Sequence, residues 1–169
     1  MTNIVVNYKI FSVKIVVLAI GKTDDRWIQE GIDTYCKRLS HYLPFEFITL
    51  PDLKHRKNRS ENQQKEQEGG LLLKQLQSSD TLILLDENGK EYHSVAFSNF
   101  LQQKMNTGIK RLVFAIGGPY GFSKELYDRA NSKMAMSKMT FSHQMIRPFF
   151  VEQVYRAFSI LNNEPYHHQ

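Results

Sequence analysis

The stretch that decides the fold is the carboxy-terminal SKMTFSHQMIRPFFVEQVYRAFSILNNEPYHH, residues Ser137–His168. It predicts a loop rich in hydrogen-bonding and titratable side chains, then an amphipathic helix over Pro148–Leu161, then a short tail of Tyr and His. Proline suits the first turn of such a helix, because the N–H groups there have no partner within the helix. Core packing does not require this order of segments, so we interpret loop, helix face and tail as three walls of one site.

Upstream of this stretch, short apolar runs alternate with segments of helical periodicity. The β-branched run at Val13–Ile20 is typical of a strand buried on both faces. The alternation favours an α/β fold with a mostly parallel sheet flanked by helices. The other predicted strands are Phe45–Leu50, Thr81–Leu85, Arg111–Ile116 and Lys133–Ser137. The other predicted helices run from Asp24 or Asp25 to about Leu43, from Ser60 to about Gln77, from Ser94 to about Gly108 and from Ser123 to Ala130.

Local patterns within these elements make finer predictions. Gln63 follows Ser60 at the spacing of a capping box, whereas the Gly69–Gly70 pair weakens the middle of the same helix. Trp27 is expected on the buried face of the first long helix. The polar segment Asp86–Lys90 predicts a turn.

Three predicted loops leave the carboxyl ends of strands, after Leu85, after Ile116 and after Ser137. In parallel α/β sheets ligands bind beyond these ends, so we expect a ligand there. The loop after Ile116 is formed by the glycine-rich segment IGGPYGFS, residues Ile116–Ser123. A glycine such as Gly117 lets a ligand approach the backbone, because it has no Cβ.

Size and composition set broader limits. At 169 residues the chain is expected to form one domain over residues 13–169, preceded by an amino-terminal extension over residues 1–12. The formal net charge of +5 favours an anionic partner such as RNA. The dense basic run Lys54–Arg59 predicts an exposed loop that either contacts phosphates or is merely solvated. With Cys36 as its single cysteine, the chain can form no internal disulfide, and a cytoplasmic location is expected.

Several common motifs are absent from the sequence. The glycine-rich turn lacks the Walker spacing, and no Gly-x-Gly-x-x-Gly fingerprint follows the first strand. Neither a His-Glu-x-x-His pattern nor a Gly-x-Ser-x-Gly nucleophile motif occurs. No apolar run is long enough to span a bilayer. We therefore expect neither a metal nor a membrane among the partners.

Five separate segments carry a resemblance to a known family. They are KIVVLAIGK at Lys14–Lys22, the IGGPYGFS turn, SKMTFSHQMIR, EQVYRAF and the PYHH near the end. In this order and spacing the chain resembles the RlmH family of SPOUT-class methyltransferases, from about Lys14 to the carboxyl terminus. The resemblance implies a SPOUT-type trefoil-knotted fold, S-adenosylmethionine as the cofactor and a homodimer. It also implies methylation of N3 of a pseudouridine in helix 69 of large-subunit (23S) ribosomal RNA, on the assembled ribosome.

The resemblance also assigns residues. The cofactor-binding positions it implies are Leu85, Gly117, Met136, Ser137, Lys138, Met139, Thr140 and Phe141, and the catalytic or substrate-binding positions are His143, Arg156, Tyr166 and His167. The family's tail often continues with Arg or Lys after Tyr-His, where this chain has His168. A histidine is neutral for much of the time near pH 7, which weakens the case for a fixed phosphate contact at this position.

Some alternatives stay open at this point. Either His143 or His167 could accept the proton that the target base loses. The substrate could also be transfer RNA or another ribosomal site. A third reading is an RNA-binding or ribosome-assembly protein without catalytic activity.

Overall fold

The computed structural model of the chain describes residues 12–53 and 59–168. Most of the predicted amino-terminal extension and of the basic run therefore lies outside the described residues. The strands are β1 (Lys14–Ile20), β2 (Phe45–Leu50), β3 (Thr81–Glu91), β4 (Arg111–Ile116) and β5 (Ser132–Ala135), and the helices are α1 (Arg26–Leu39), α2 (Glu61–Leu73), α3 (Ser94–Asn106), α4 (Lys124–Arg129) and α5 (Ile146–Leu161).

The strands form one five-stranded sheet in the order β2-β1-β4-β3-β5, and every pairing is parallel. Alternate residues of β1 face opposite sides of the sheet. Ile15 and Val17 pack into one core with α1, α3 and α5, and Val16 and Leu18 into a second core with α2 and α4. The predicted α/β fold with helices on both faces of a parallel sheet is confirmed.

The predicted turn at Asp86–Lys90 is wrong, because β3 continues through it to Glu91. Leu85 and Lys90 both pair with Met134 of β5, so the residues between them bulge out of the ladder. Gly89 makes this possible, since a Cβ there would lie 2.4 Å from the backbone nitrogen of Met134. The bulge directs Asp86 and its neighbours toward the carboxyl edge of the sheet.

Helix α2 begins as predicted and ends earlier. The Ser60 hydroxyl accepts from the backbone N–H of Gln63 at 3.2 Å, and the Ser60 N–H donates to the Gln63 side chain at 3.0 Å, which confirms the capping box. The helix passes through both glycines and ends at Leu73 rather than Gln77. A Cβ on Gly69 would lie 2.2 Å from the Ser123 hydroxyl, so close packing against the start of α4 requires this glycine.

Other helix boundaries differ modestly from expectation. Helix α1 ends at Leu39 instead of Leu43, and α5 begins at Ile146, two residues before Pro148. The side chain of Trp27 is 58% exposed, contrary to expectation, whereas that of Ile28 is buried. Adjacent residues project about 100° apart around a helix, so Trp27 points away from the one face of α1 that Ile28, Ile32 and Leu39 bury.

Two features are absent from the described part of the chain. No helix within residues 12–53 and 59–168 is both long and apolar enough to cross a membrane. Within the same ranges, no three His, Cys, Asp or Glu side chains converge in a way that could hold a metal ion.

Candidate functional site

A cavity of about 590 Å³ opens at the carboxyl edge of the sheet. Its walls come from the bulge of β3, the glycine-rich turn after β4 and the loop between β5 and α5, so the three predicted loops do meet. The lining residues are Leu85, Asp86, Glu87, Asn88, Ile116, Gly117, Gly118, Pro119, Tyr120, Gly121, Phe122, Tyr127, Met134, Met136, Ser137, Met139, Thr140, Phe141, Ser142, His143 and Ile146.

The predicted cofactor residues all line this cavity except Lys138, whose side chain is exposed elsewhere on the loop. The loop is held in part by its own groups: the backbone N–H of Met139 donates to the Ser137 hydroxyl at 2.9 Å. The Met139 side chain is 78% exposed at the mouth of the cavity. An exposed apolar side chain at this position can cover a ligand once one is bound.

The glycine-rich turn leaves little room for a side chain at Gly117 and Gly118. A Cβ on Gly117 would lie 3.2 Å from the carbonyl oxygen of Gly121, and a Cβ on Gly118 would lie 2.2 Å from a carboxylate oxygen of Glu68. Gly121 has φ +81°, a left-handed conformation that glycine adopts without strain. The turn therefore presents bare backbone to the cavity on one side and rests on α2 on the other.

One wall of the cavity is acidic, which the sequence reasoning did not anticipate. The Tyr127 hydroxyl donates to one oxygen of Asp86, and the backbone N–H of Asn88 donates to the other at 2.8 Å. Burial, followed by the hydrogen bond to Asp86, raises the pKa of Tyr127. Across the opening, the Thr140 hydroxyl donates to Glu87 at 3.4 Å. Asp86 could have been suspected from its place directly after Leu85, but no sequence signal pointed to Tyr127.

The loop entering α5 is tied to the end of β1 by Arg147, which is fully buried. Its guanidinium donates to the carbonyl oxygens of Ile20 at 2.6 Å, Gly21 at 3.1 Å and His143 at 2.9 Å. It also donates to the Thr23 hydroxyl at 3.1 Å. Burial lowers the pKa of Arg147, and the nearby charge of Asp24 opposes that shift. This network fixes the backbone at His143, which is one of the residues that line the cavity.

The other predicted substrate residues, Arg156, Tyr166 and His167, do not line the cavity. Arg156 is ten residues beyond Ile146 on the same helix, about 15 Å along its axis. It forms an ion pair with Glu152 at 2.5 Å and lies 3.4 Å from Nδ1 of His167. Burial opposes the charge of Arg156, but the hydrogen bond and charge of Glu152 outweigh it and raise the pKa of the guanidinium.

The tail is docked onto α1 and α5 through Tyr166. Its hydroxyl donates to Glu152 at 3.0 Å and lies 3.1 Å from the Tyr35 hydroxyl. Its ring packs edge-on against Tyr155 at 4.8 Å between centroids, and the Arg156 guanidinium lies 4.8 Å from its centroid. Burial, together with the hydrogen bonds to Tyr35 and Glu152, raises the pKa of Tyr166, so the phenol stays neutral. The four predicted substrate residues therefore form two separate groups within one chain.

Comparison with known proteins gives a consistent picture. A family model described as "Predicted SPOUT methyltransferase" matches residues 13–167. A ribosomal RNA large subunit methyltransferase H from Christiangramia forsetii is 60% identical over 152 residues, which cover 90% of this chain and 97% of that protein. The protein of the same name from Parabacteroides distasonis is 59% identical over 156 residues, 92% and 99% of the two chains. The matched region includes every element from β1 to the docked tail.

Proposed function

Because this chain belongs to the SPOUT methyltransferase family, we propose that it uses S-adenosylmethionine to methylate N3 of a pseudouridine in helix 69 of 23S ribosomal RNA on the assembled ribosome. The observation that carries the proposal is the cavity at the carboxyl edge, built from the three loops that the family resemblance singles out. Support for the substrate comes from relatives named for ribosomal RNA, which match nearly their whole length. The trefoil knot is part of the same proposal.

The cavity fits a ligand of this kind. Its volume of about 590 Å³ lies within the range of small-molecule sites. Backbone at Gly117 and Gly118 can hydrogen-bond an adenine edge, and Leu85, Met139 and Phe141 provide apolar walls for its faces. When bound, S-adenosylmethionine supplies an electrophilic methyl group on a sulfonium.

The protein's own part in the reaction is mostly positioning. The loops must hold the ring nitrogen in line with the methyl group, and the target base must leave its stack to enter the cavity. The N3 proton must also leave, and His143 at the cavity wall can accept it directly or through one water. His167 lies with Arg156 in the other group, so it could act on the same base only from a second protomer.

We also propose that the enzyme works as a homodimer. The two separate groups of substrate residues would meet if the tail of one protomer covered the cavity of its partner. Trp27 is 58% and Phe149 is 45% exposed, near the starts of α1 and α5. These starts lie together, since the Asp24 N–H donates to the Gln144 side chain at 3.2 Å. Such exposed apolar residues are typical of an interface between proteins.

The remaining features of the proposal follow from the substrate. Ribosomal RNA is an anionic partner, which suits a chain with a formal net charge of +5. An enzyme that acts on assembled ribosomes would work in the cytoplasm. Neither a metal ion nor a membrane is required for the transfer as proposed.

The proposal is tested by methyl transfer to intact ribosomes, comparing wild type with Gly117→Leu. We expect the variant to lose transfer and donor binding, because its side chain would enter the turn and the cavity. Gly70→Leu is the matched control, since a Cβ at Gly70 meets no described atom within 4 Å. Mass mapping of RNA from a deletion strain, with rescue, identifies the modified base and separates this site from transfer RNA. Full activity of Gly117→Leu, or no donor binding by wild type, would overturn the proposal.

A further inference from the structure

The charge of the cavity is opposite to that of the chain as a whole. Although the chain has a formal net charge of +5, no Lys or Arg is among the described residues that line the cavity. The acidic side chains that line it are Asp86 and Glu87. His143 is the remaining lining residue that could carry a positive charge near pH 7. A ligand inside the cavity therefore meets a predominantly negative wall.

The carboxylate of Asp86 is held in place rather than free to rotate. It accepts the Tyr127 hydroxyl on one oxygen and the Asn88 N–H on the other, at 2.8 Å. Neither donor carries a positive charge. Hydrogen bonds of this kind orient a charged side chain and leave lone pairs for a further donor.

We propose that Asp86, assisted by Glu87, makes the cavity select the positively charged methyl donor over its neutral demethylated product. The inference rests on the proposed function and adds a specificity determinant to it. In the transfer the S–CH₃ bond breaks and an N–CH₃ bond forms, while the sulfur keeps the bonding electron pair and the N3 proton passes to a base. The ligand's net charge thereby falls from +1 to zero, because the sulfonium becomes a thioether.

This loss of charge weakens the electrostatic attraction between the product and the acidic wall of the cavity. At a separation of about 6 Å and an effective dielectric constant of about 40, one carboxylate changes the affinity for a unit positive charge roughly tenfold. Apart from the methyl group and the charge on sulfur, donor and product have the same groups, so contacts to those shared groups cannot make this distinction. Product release after each turnover would follow from the chemistry itself.

The test is calorimetric titration of the full chain with three ligands. They are S-adenosylmethionine, S-adenosylhomocysteine and sinefungin, an unreactive analogue with an ammonium group in place of the sulfonium. We expect Asp86→Asn to lower the affinity for both cationic ligands roughly tenfold, and that for S-adenosylhomocysteine less than twofold. The amide keeps the shape of the side chain. Its oxygen can still accept from the Asn88 N–H, and the Tyr127 hydroxyl can turn to accept from its NH₂ group, so the change is mainly one of charge.

Glu91→Gln is the matched control, because it removes one exposed negative charge from the same strand without touching the cavity. It should leave all three affinities unchanged. Should Asp86→Asn fail to fold, Glu87→Gln carries the test, with a smaller loss of roughly threefold for the cationic ligands, because its side chain is more exposed. Its amide oxygen can still accept from Thr140.

Each outcome is decisive. A selective loss for the two cationic ligands supports the inference. An equal loss for all three ligands overturns it, because Asp86 would then hold a part that donor and product share. Unchanged affinities overturn it as well. If the wild-type protein binds none of the three ligands, the proposed function fails. If it binds the donor but Asp86→Asn keeps the wild-type preference for cationic ligands over S-adenosylhomocysteine, only the inference is overturned.

Discussion

A single buried arginine links the end of β1 to the loop that closes the cavity. Arg147 has no exposed surface, and its guanidinium donates to carbonyl oxygens on both segments. Burying a charge without a carboxylate partner is costly unless its N–H groups are satisfied. Here four of the five N–H groups donate, to three carbonyls and one hydroxyl, so the side chain acts as a clamp between distant parts of the chain.

Arg147→Leu should therefore destabilise the fold by about 3 kcal/mol, because it leaves buried carbonyl oxygens at Ile20 and Gly21 without this donor. Denaturant unfolding measures the change. Arg26→Leu is the control, since the Arg26 side chain is 91% exposed and forms a surface ion pair with Glu30. It should cost no more than about 0.5 kcal/mol. Equal losses for the two variants would show that Arg147 is not a clamp.

For individual residues, the sequence predicted roles that depend on near neighbours in the chain and missed roles that depend on distant ones. The Ser60–Gln63 capping box could be recognised because both partners lie within one turn. The role of Arg147 could not be predicted, since its carbonyl partners include Ile20 and Gly21 at the end of β1, more than 120 residues away. Gly69 looked like a weak point in a helix, because its contact with Ser123 is visible only in three dimensions.

Among the elements, α5 carries two kinds of group at its two ends. Its amino-terminal end adjoins the cavity, and its middle holds the docked tail through Glu152 and Tyr155. The tail is held by hydrogen bonds and ring contacts rather than by strand pairing. Its position therefore depends on a few side chains.

Tyr166→Phe should loosen the tail, because it removes the hydroxyl that bonds Glu152 and Tyr35 but keeps the ring against Tyr155. We expect a loss of about 1 kcal/mol in the free energy of unfolding. Limited proteolysis of the tail should also become faster. Tyr92→Phe is the control, since the structure shows no hydrogen bond from the Tyr92 hydroxyl to a described residue, and its tail should be cleaved at the wild-type rate. Unchanged cleavage of Tyr166→Phe would contradict the docking role.

The elements could be predicted wherever burial dictated the pattern. Strands with apolar runs, such as Val13–Ile20 and Arg111–Ile116, were found nearly to the residue, because both faces of a parallel strand are covered. The extension of β3 was missed because Asp86–Lys90 has the composition of a turn. What makes it a strand is the close approach of Gly89 to Met134, which local sequence does not encode.

For the whole molecule, the net charge of +5 predicts a salt-dependent affinity for ribosomes. Replacing Arg56 and Lys57 by Gln should weaken binding and reduce the slope of log affinity against log salt concentration by about one to two. The control replaces Lys104, in the last turn of α3, and Lys110, just before β4, by Gln, which removes an equal charge at other positions of the chain. If the slope is the same in both double variants, the basic run makes no special phosphate contact.

The shape of the assembled site could not be predicted from composition and periodicity. These established the layers and the sheet edge at which the loops meet. The knot and the second protomer were implied only by resemblance, because neither leaves a periodic signal. The separation of His143 from Arg156 and Tyr166 then became visible in the structure, since about 15 Å of helix lies between the two groups.

That separation gives the sharpest prediction for the whole molecule. If the tail of one protomer completes the cavity of its partner, His143→Ala and Tyr166→Ala should each be inactive as pure dimers yet active when mixed. Random mixing in equal amounts makes half of the dimers mixed, each with one intact site of two, so about a quarter of wild-type activity should return. Native mass spectrometry of co-refolded, differently tagged protomers verifies that mixed dimers form, and each variant refolded alone is the control. Mixed dimers without recovered activity would show that each chain uses its own tail.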